Sequence, residues 1–172
     1  MPSGPFAHVC MVVRDLDKAV EDWTKILRVL DPGQLKEPIV RVDSFSSGAD
    51  EGMKWATFVS DHGTEIQFIQ PGPGTPLGER LEKVGEHVHH LCFTTNDVPG
   101  AMAKLSAEGI QVLGGGQTYK DADMPWQNWS WVGPKSAHGV LIEVAAPYET
   151  HEDGQWHHAP HVQTEWDQKF GS

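Results

Sequence analysis

The stretch Glu86-His87-Val88-His89-His90-Leu91-Cys92-Phe93-Thr94-Thr95-Asn96-Asp97-Val98 decides how this chain is read. It echoes an earlier run, Phe6-Ala7-His8-Val9-Cys10-Met11-Val12-Val13-Arg14-Asp15-Leu16. Each run sets a His, one apolar residue and a Cys in a row, then reaches an Asp followed by an apolar residue. His8 thereby corresponds to His90, Cys10 to Cys92 and Asp15 to Asp97. Internal repeats are settled before single elements, because they set the whole architecture. A His kept at the start of a strand in both copies suggests two half-sites meeting at one metal.

Outward from the first run, residues 6–13 read as an apolar, β-branched strand bounded by Pro5 and Arg14-Asp15. His8, Cys10 and Val12 fall on one face, and Val9, Met11 and Val13 on the other. Asp15 or Asp17 caps a helix from Leu16 to about Val29, in which Leu16, Ala19, Val20, Trp23, Ile26 and Leu27 recur at helical spacing. Asp31-Pro32-Gly33 ends it. Three strands follow: 38–42, 54–59 after a loop at 46–52, and 65–70 after a turn at 61–64. The breaker Pro71-Gly72-Pro73-Gly74-Thr75-Pro76 closes this first β-α-β-β-β module, residues 1–76.

The second module, 77–148, has the same order. A short helix from Leu77 to Val84 leads into a strand at 89–95. A helix opened by Pro99-Gly100-Ala101 runs to about Glu108 and is stopped by Gly109. Strands at 110–113, 127–132 and 140–144 complete the module, with Gly114-Gly115-Gly116 as a joint between the first two. Residues 149–172 differ in composition, with His151, His157, His158 and His161, five acids and few aliphatics. They read as a polar C-terminal tail packed on the surface or on a partner subunit.

A chain of 172 residues can bury one good core or two fused modules sharing one. No apolar run approaches the ~20 residues that cross a bilayer, and Met1-Pro2-Ser3-Gly4-Pro5 is not a signal peptide, so a cytoplasmic location is expected. Cys10 and Cys92 are the only cysteines and read as buried reduced thiols. A net charge of -11 argues against nucleic acid and against an anionic membrane surface. It also counts against a polyanionic substrate unless the basic residues cluster locally.

Two polar residues stand where apolar ones belong. Gln67 lies in the last strand of the first module, four residues before Pro71; Glu143 lies in the last strand of the second, four residues before Pro147. His8 to Gln67 spans 59 positions and His90 to Glu143 spans 53, so the two pairs are equivalent in the repeat. If first and last strands are neighbours, each half offers an imidazole and an oxygen donor. Two halves facing one another then give a pocket of His8, Gln67, His90 and Glu143, which suits Co, Ni, Zn, Mn or Fe. Glu143 in an apolar strand is costly to bury uncompensated, which favours the same reading.

These residues and their order resemble the vicinal oxygen chelate superfamily, which groups glyoxalases, bleomycin-resistance proteins and dioxygenases, and within it the methylmalonyl-CoA epimerases. The resemblance rests on His8-Val9, Glu51-Gly52-Met53, Glu65-Ile66-Gln67, Pro76-Leu77-Gly78, His89-His90-Leu91-Cys92, Pro134-Lys135 and Gly139-Val140-Leu141-Ile142-Glu143. It covers about residues 6–147. It implies an α+β fold in which two βαβββ modules pair into a cupped mixed sheet around a divalent metal held by His8, Gln67, His90 and Glu143. His89 is then the neighbour on the opposite face. The catalytic glutamate of that pattern falls on Glu51, with Asp50 adjacent.

The implied activity is an isomerase of epimerase type. A metal that chelates a carbonyl stabilises the charge that builds up when the neighbouring carbon loses its proton. A carboxylate such as Glu51 takes that proton, and Glu143 can relay its return. The expected partner is a small carbonyl or thioester compound, and the polar, Trp-containing tail suggests a homodimer. The segment 114–128 is longer than the epimerase pattern, and Trp129 and Trp131 share one strand face and can wall a pocket. Three alternatives share the fold: a glyoxalase I-type lyase, an iron-dependent extradiol-type dioxygenase and a non-catalytic ligand-binding resistance protein.

Overall fold

The structure, a computed structural model, describes residues 4–60, 63–120, 124–153 and 155–171. The predicted turn at 61–64 and the inserted segment before the Trp129 strand therefore lie partly outside the described residues. Both aspartates of the echo cap a helix. Asp15 accepts the Lys18 amide at the start of α1 (Leu16–Leu30), and Asp97 accepts the Gly100 amide at the start of α3 (Val98–Ala107). The first choice between Asp15 and Asp17 thus falls to Asp15.

Around these helices the chain runs β1 (Phe6–Val12), β2 (Val40–Ser47), β3 (Asp50–Phe58), β4 (Glu65–Gln70), α2 (Pro76–Val84), β5 (His87–Thr94), β6 (Tyr119–Lys120), β7 (Asn128–Val132) and β8 (Ile142–Ala145). These strands form one curled mixed sheet in the order β2-β3-β4-β1-β5-β8-β7-β6. First and last strands of each module are indeed neighbours and parallel, β1 with β4 and β5 with β8. The two first strands meet antiparallel at the centre, with His8 opposite Cys92 and Cys10 opposite His90. The His-x-Cys echo therefore maps onto itself about a pseudo-dyad between β1 and β5.

α1 covers the convex side of the first half. Leu16 and Leu27 pack with Trp23 against Ala56, Phe58 and Phe68. α3 does the same for the second half, burying Val98 and Met102 against Val132 and Val144. Such burial removes roughly 1.5–3 kcal/mol of unfavourable hydration per large side chain. α2 lies on the opposite, concave side, where Leu77 and Leu81 pack on Val12 and Met53. No helix among the described residues is long and apolar enough to cross a membrane.

Two local expectations are corrected. Residues 46–52 are not a loop: β2 and β3 continue to a two-residue turn at Gly48-Ala49, with Ser47 paired to Asp50. Gly48 alone of the turn pair has positive φ (59°), the condition for a tight hairpin with glycine first. Residues 110–113 are not a strand. Only Val112 makes a bridge, to Val132, before Gly114, Gly115 and Gly116 turn the chain with positive φ, and the two-residue β6 takes the missing strand's place. The last segment forms a two-stranded ribbon of β9 (Tyr148–Thr150) and β10 (Trp156–His158), then helix α4 (Pro160–Phe170).

Candidate metal centre

The concave face of the sheet carries two rows of side chains. Register places Glu65, His8, Cys92, Glu143 and Trp131 in one row, across β4, β1, β5, β8 and β7. Thr57, Gln67, Cys10 and His90 form the next. Residues directly opposite across strands project to the same face. The apolar strands thus deliver polar groups to one side because the His-x-Cys spacing keeps both residues in phase.

Three of the four expected donors converge. His8 Nε2 and His90 Nε2 lie 3.0 Å apart. Glu143 Oε2 lies 3.0 Å from His90 Nε2 and 3.9 Å from His8 Nε2. His8 is wholly buried and His90 nearly so. Burial, reinforced by His90, holds the His8 imidazole well below its ordinary pKa, so its ring is neutral. Gln67 is buried on the same face, in the row of His90, with Cys10 on β1 between them. No hydrogen bond joins it to the other three among the described residues. Its cross-strand neighbour Thr57 is also fully buried, with its hydroxyl unpartnered.

The His89 expectation fails. A register shift between Cys10 and Met11 gives β5 an extra residue at this point, a β-bulge. The bulge breaks the alternation that was to send His89 to the far face. Its Nδ1 instead lies 2.8 Å from His90 Nδ1. Burial, helped by His90, lowers the His89 pKa to about 4. His90 thus has its Nδ1 engaged by His89 while its Nε2 faces His8 and Glu143.

Both cysteines are free and buried, as expected. Cys92 Sγ groups with His8 and Glu143, and Cys10 Sγ with His89 and His90, each set with donor atoms within 4.8 Å of one another. Burial, with the Glu143 carboxylate nearby, pushes both thiols well up in pKa, so they remain protonated. Trp131 stands edge-on to His90 at 5.3 Å between ring centroids. Trp129 instead packs with Ala7, Cys92, Ala145 and Tyr148, and beside Tyr119. Of the two expected pocket walls, Trp131 is in ring contact with His89 and His90.

Glu51 and Asp50 lie at the turn end of β3. Glu51 is exposed, and no polar contact among the described residues links it to the cluster. Asp50 Oδ1 accepts the Leu77 amide at 2.8 Å and so is occupied at the start of α2. A groove of about 750 Å³ lies nearby, lined by Arg14, Gln70, Gly72, Glu79, Glu82 and Lys83 among others, and includes none of the buried cluster.

Sequence reasoning missed Tyr148. Its hydroxyl lies 2.5 Å from His8 Nδ1, across 140 positions of chain. It also missed Glu65, the row neighbour of His8, whose carboxyl burial pushes up to about 7 and whose Oε2 accepts the Thr150 hydroxyl at 2.9 Å. The only sequence signal for either was polarity within apolar strand ends.

The donor set fits a divalent cation. Two imidazole nitrogens and a carboxylate oxygen face one another in a buried site, and nitrogen and oxygen donors of this kind suit first-row divalent ions. A curled sheet of paired βαβββ units with such a cluster at its dyad defines a protein class. The chain belongs to the Glyoxalase/Bleomycin resistance protein/Dioxygenase superfamily, whose model matches residues 5–126. The chain is 27% identical over 143 residues to the ethylmalonyl-CoA/methylmalonyl-CoA epimerase of Cereibacter sphaeroides, covering 82% of this chain and 96% of that protein. The fold is that of methylmalonyl-CoA epimerase from Mycobacterium tuberculosis (TM-score 0.63, 21% identity, 83% of this chain and 87% of that one). It is equally that of a Streptomyces coelicolor methylmalonyl-CoA epimerase variant in complex with 2-nitronate-propionyl-CoA (TM-score 0.60, 24% identity, 83% and 96%).

Proposed function

We propose that the protein is a divalent-metal-dependent epimerase that moves the α-proton of a carbonyl-containing acid or acyl thioester of the methylmalonyl-CoA kind. The convergence of His8 Nε2, His90 Nε2 and Glu143 Oε2 within 3.0–3.9 Å carries the reading. The dyad that sets Glu143 beside His90 puts Gln67 on the equivalent side of His8, so Gln67 is the fourth donor. When bound, the cation supplies Lewis acidity that makes the carbon beside a substrate carbonyl a stronger acid.

The chain's own groups divide the remaining work. His8 and His90 aim their Nε2 atoms inward. Trp131 packs edge-on against His90 and walls that side of the site. Glu51, exposed and unpaired among the described residues, is the carboxylate free to take the α-proton. Glu143, in the other half of the sheet, returns it in this scheme. The similarity to the Cereibacter sphaeroides epimerase supports the substrate class.

Metal analysis of the purified protein tests the site. One divalent ion per chain is expected, and Gln67→Ala or Glu143→Ala should lower occupancy sharply. A wild-type protein without stoichiometric metal would return the chain to the non-catalytic resistance class. With metal present, deuterium should enter the α-carbon of methylmalonyl-CoA. Exchange only in other 2-oxo or β-dicarbonyl acids would reject the thioester and keep the chemistry. Glu51→Gln should slow exchange by ~10²–10⁴-fold; full retention would remove Glu51 as the base.

A further inference from the structure

The ribbon of β9 and β10 packs on the concave face beside the cluster. Tyr148 and Thr150 are two apart on β9 and therefore share a face. Each makes one polar contact with the sheet, and the two recipients are cross-strand partners: Tyr148 Oη with His8 Nδ1, and Thr150 Oγ1 to Glu65 Oε2. Tyr148 is 1% exposed and Thr150 5% exposed. The Tyr148 ring is fixed by stacking on Trp156, with centroids 4.2 Å apart and planes 19° from parallel. Trp156 stands 5.9 Å from the His8 ring. In turn, His158 of β10 stacks on Trp126 at 5.1 Å. The ribbon is thus held by aromatic packing at two points and delivers a fixed phenol to one imidazole.

We infer that Tyr148 is a positioning residue for His8, and that the C-terminal ribbon is a built part of the metal site. The inference rests on the metal reading above. A His that offers Nε2 to a cation must carry its proton on Nδ1, and a partner for that N–H fixes both the tautomer and the ring plane. With Nε2 turned to the cation, His8 carries its proton on Nδ1, and the Tyr148 oxygen 2.5 Å away accepts it. Nε2 is left with its lone pair directed at His90 and Glu143. His90 has the corresponding arrangement through His89, so both imidazoles are held from behind and meet in front. The two partners differ in origin: a strand bulge supplies one, the C-terminal ribbon the other.

The test compares full-length wild type with Tyr148→Phe, which keeps the ring stacked on Trp156 and removes only the oxygen. Co(II) affinity by chelator competition, the visible spectrum of the Co(II) protein, and long-range proton–nitrogen NMR of His8 are the readouts. In wild type, His8 should carry its proton on Nδ1. In Tyr148→Phe, Co(II) affinity should fall roughly 10–100-fold and the Co(II) band should shift, with little change in melting temperature. Equal affinity and an unchanged band in the two proteins would overturn the inference. So would a wild-type His8 protonated on Nε2, a measurement that needs no variant. A wild type that binds no Co(II) would sink the metal reading, while the tautomer would still report on the Tyr148–His8 bond.

Discussion

Gly72 and Tyr148 hold equivalent positions, each directly after the proline that closes a module's last strand, and they show how the pseudo-symmetry is broken. Tyr148 turns its ring onto the concave face and meets His8. Gly72 instead lets the chain of β3 come close: a Cβ there would lie 2.1 Å from the Glu51 carbonyl oxygen. That contact is backbone and cannot swing aside. Gly72→Ala should therefore cost about 1–3 kcal/mol, as overpacked sites do, and displace the turn end of β3 that bears Glu51. Denaturant unfolding measures the first effect. A wild-type midpoint would show that the two segments can separate freely.

The elements show how local chemistry sets boundaries. α3 begins where Asp97 accepts the Gly100 amide, and a Cβ at Gly100 would lie 1.9 Å from Asp97 Oδ2. Asp97→Ala should cost about 1 kcal/mol through loss of the cap. Gly100→Ala should cost a comparable amount by expelling the same carboxylate. Because both act through one contact, the double variant should cost clearly less than their sum. Strict additivity in thermal or denaturant unfolding would mean that Gly100→Ala does not act through the cap. The start of α1 was legible in the sequence to within Asp15 or Asp17, since an Asp before an apolar periodic run needs only its own neighbours, whereas α4, inside the segment read as a polar tail, was not. The β2–β3 hairpin was not: Ser46–Gly52 has the composition of a loop, and only pairing across the turn makes it strand.

At the scale of the molecule, the two modules share a single sheet and meet through β1 and β5, with metal donors proposed from both halves. A bound ion would therefore tie the halves together, and its binding free energy would add to stability. At a free metal concentration 100 times Kd this amounts to about 2.7 kcal/mol. For a chain of this size, that corresponds to a rise of roughly 5–11 °C in melting temperature. A scan with Co(II), Ni(II) or Zn(II), reversed by a chelator, measures it. The absence of any shift would argue against an ion bridging the modules.

The sequence by itself determined the repeat, and with it the equivalence of His8 with His90 and of Gln67 with Glu143. It could do so because these identities depend on spacing along strands whose side chains alternate. It also placed one helix after Asp15 or Asp17 and another at Pro99-Gly100-Ala101, since helix starts are signalled locally. The tertiary structure alone decided that His89 joins His90, because a bulge is a property of two strands in register and not of either one. It alone decided that Tyr148 stands behind His8, because that contact spans 140 positions and depends on where the C-terminal ribbon folds. Periodicity carries what a strand does to its own side chains. What one strand does to another is settled only when they pack.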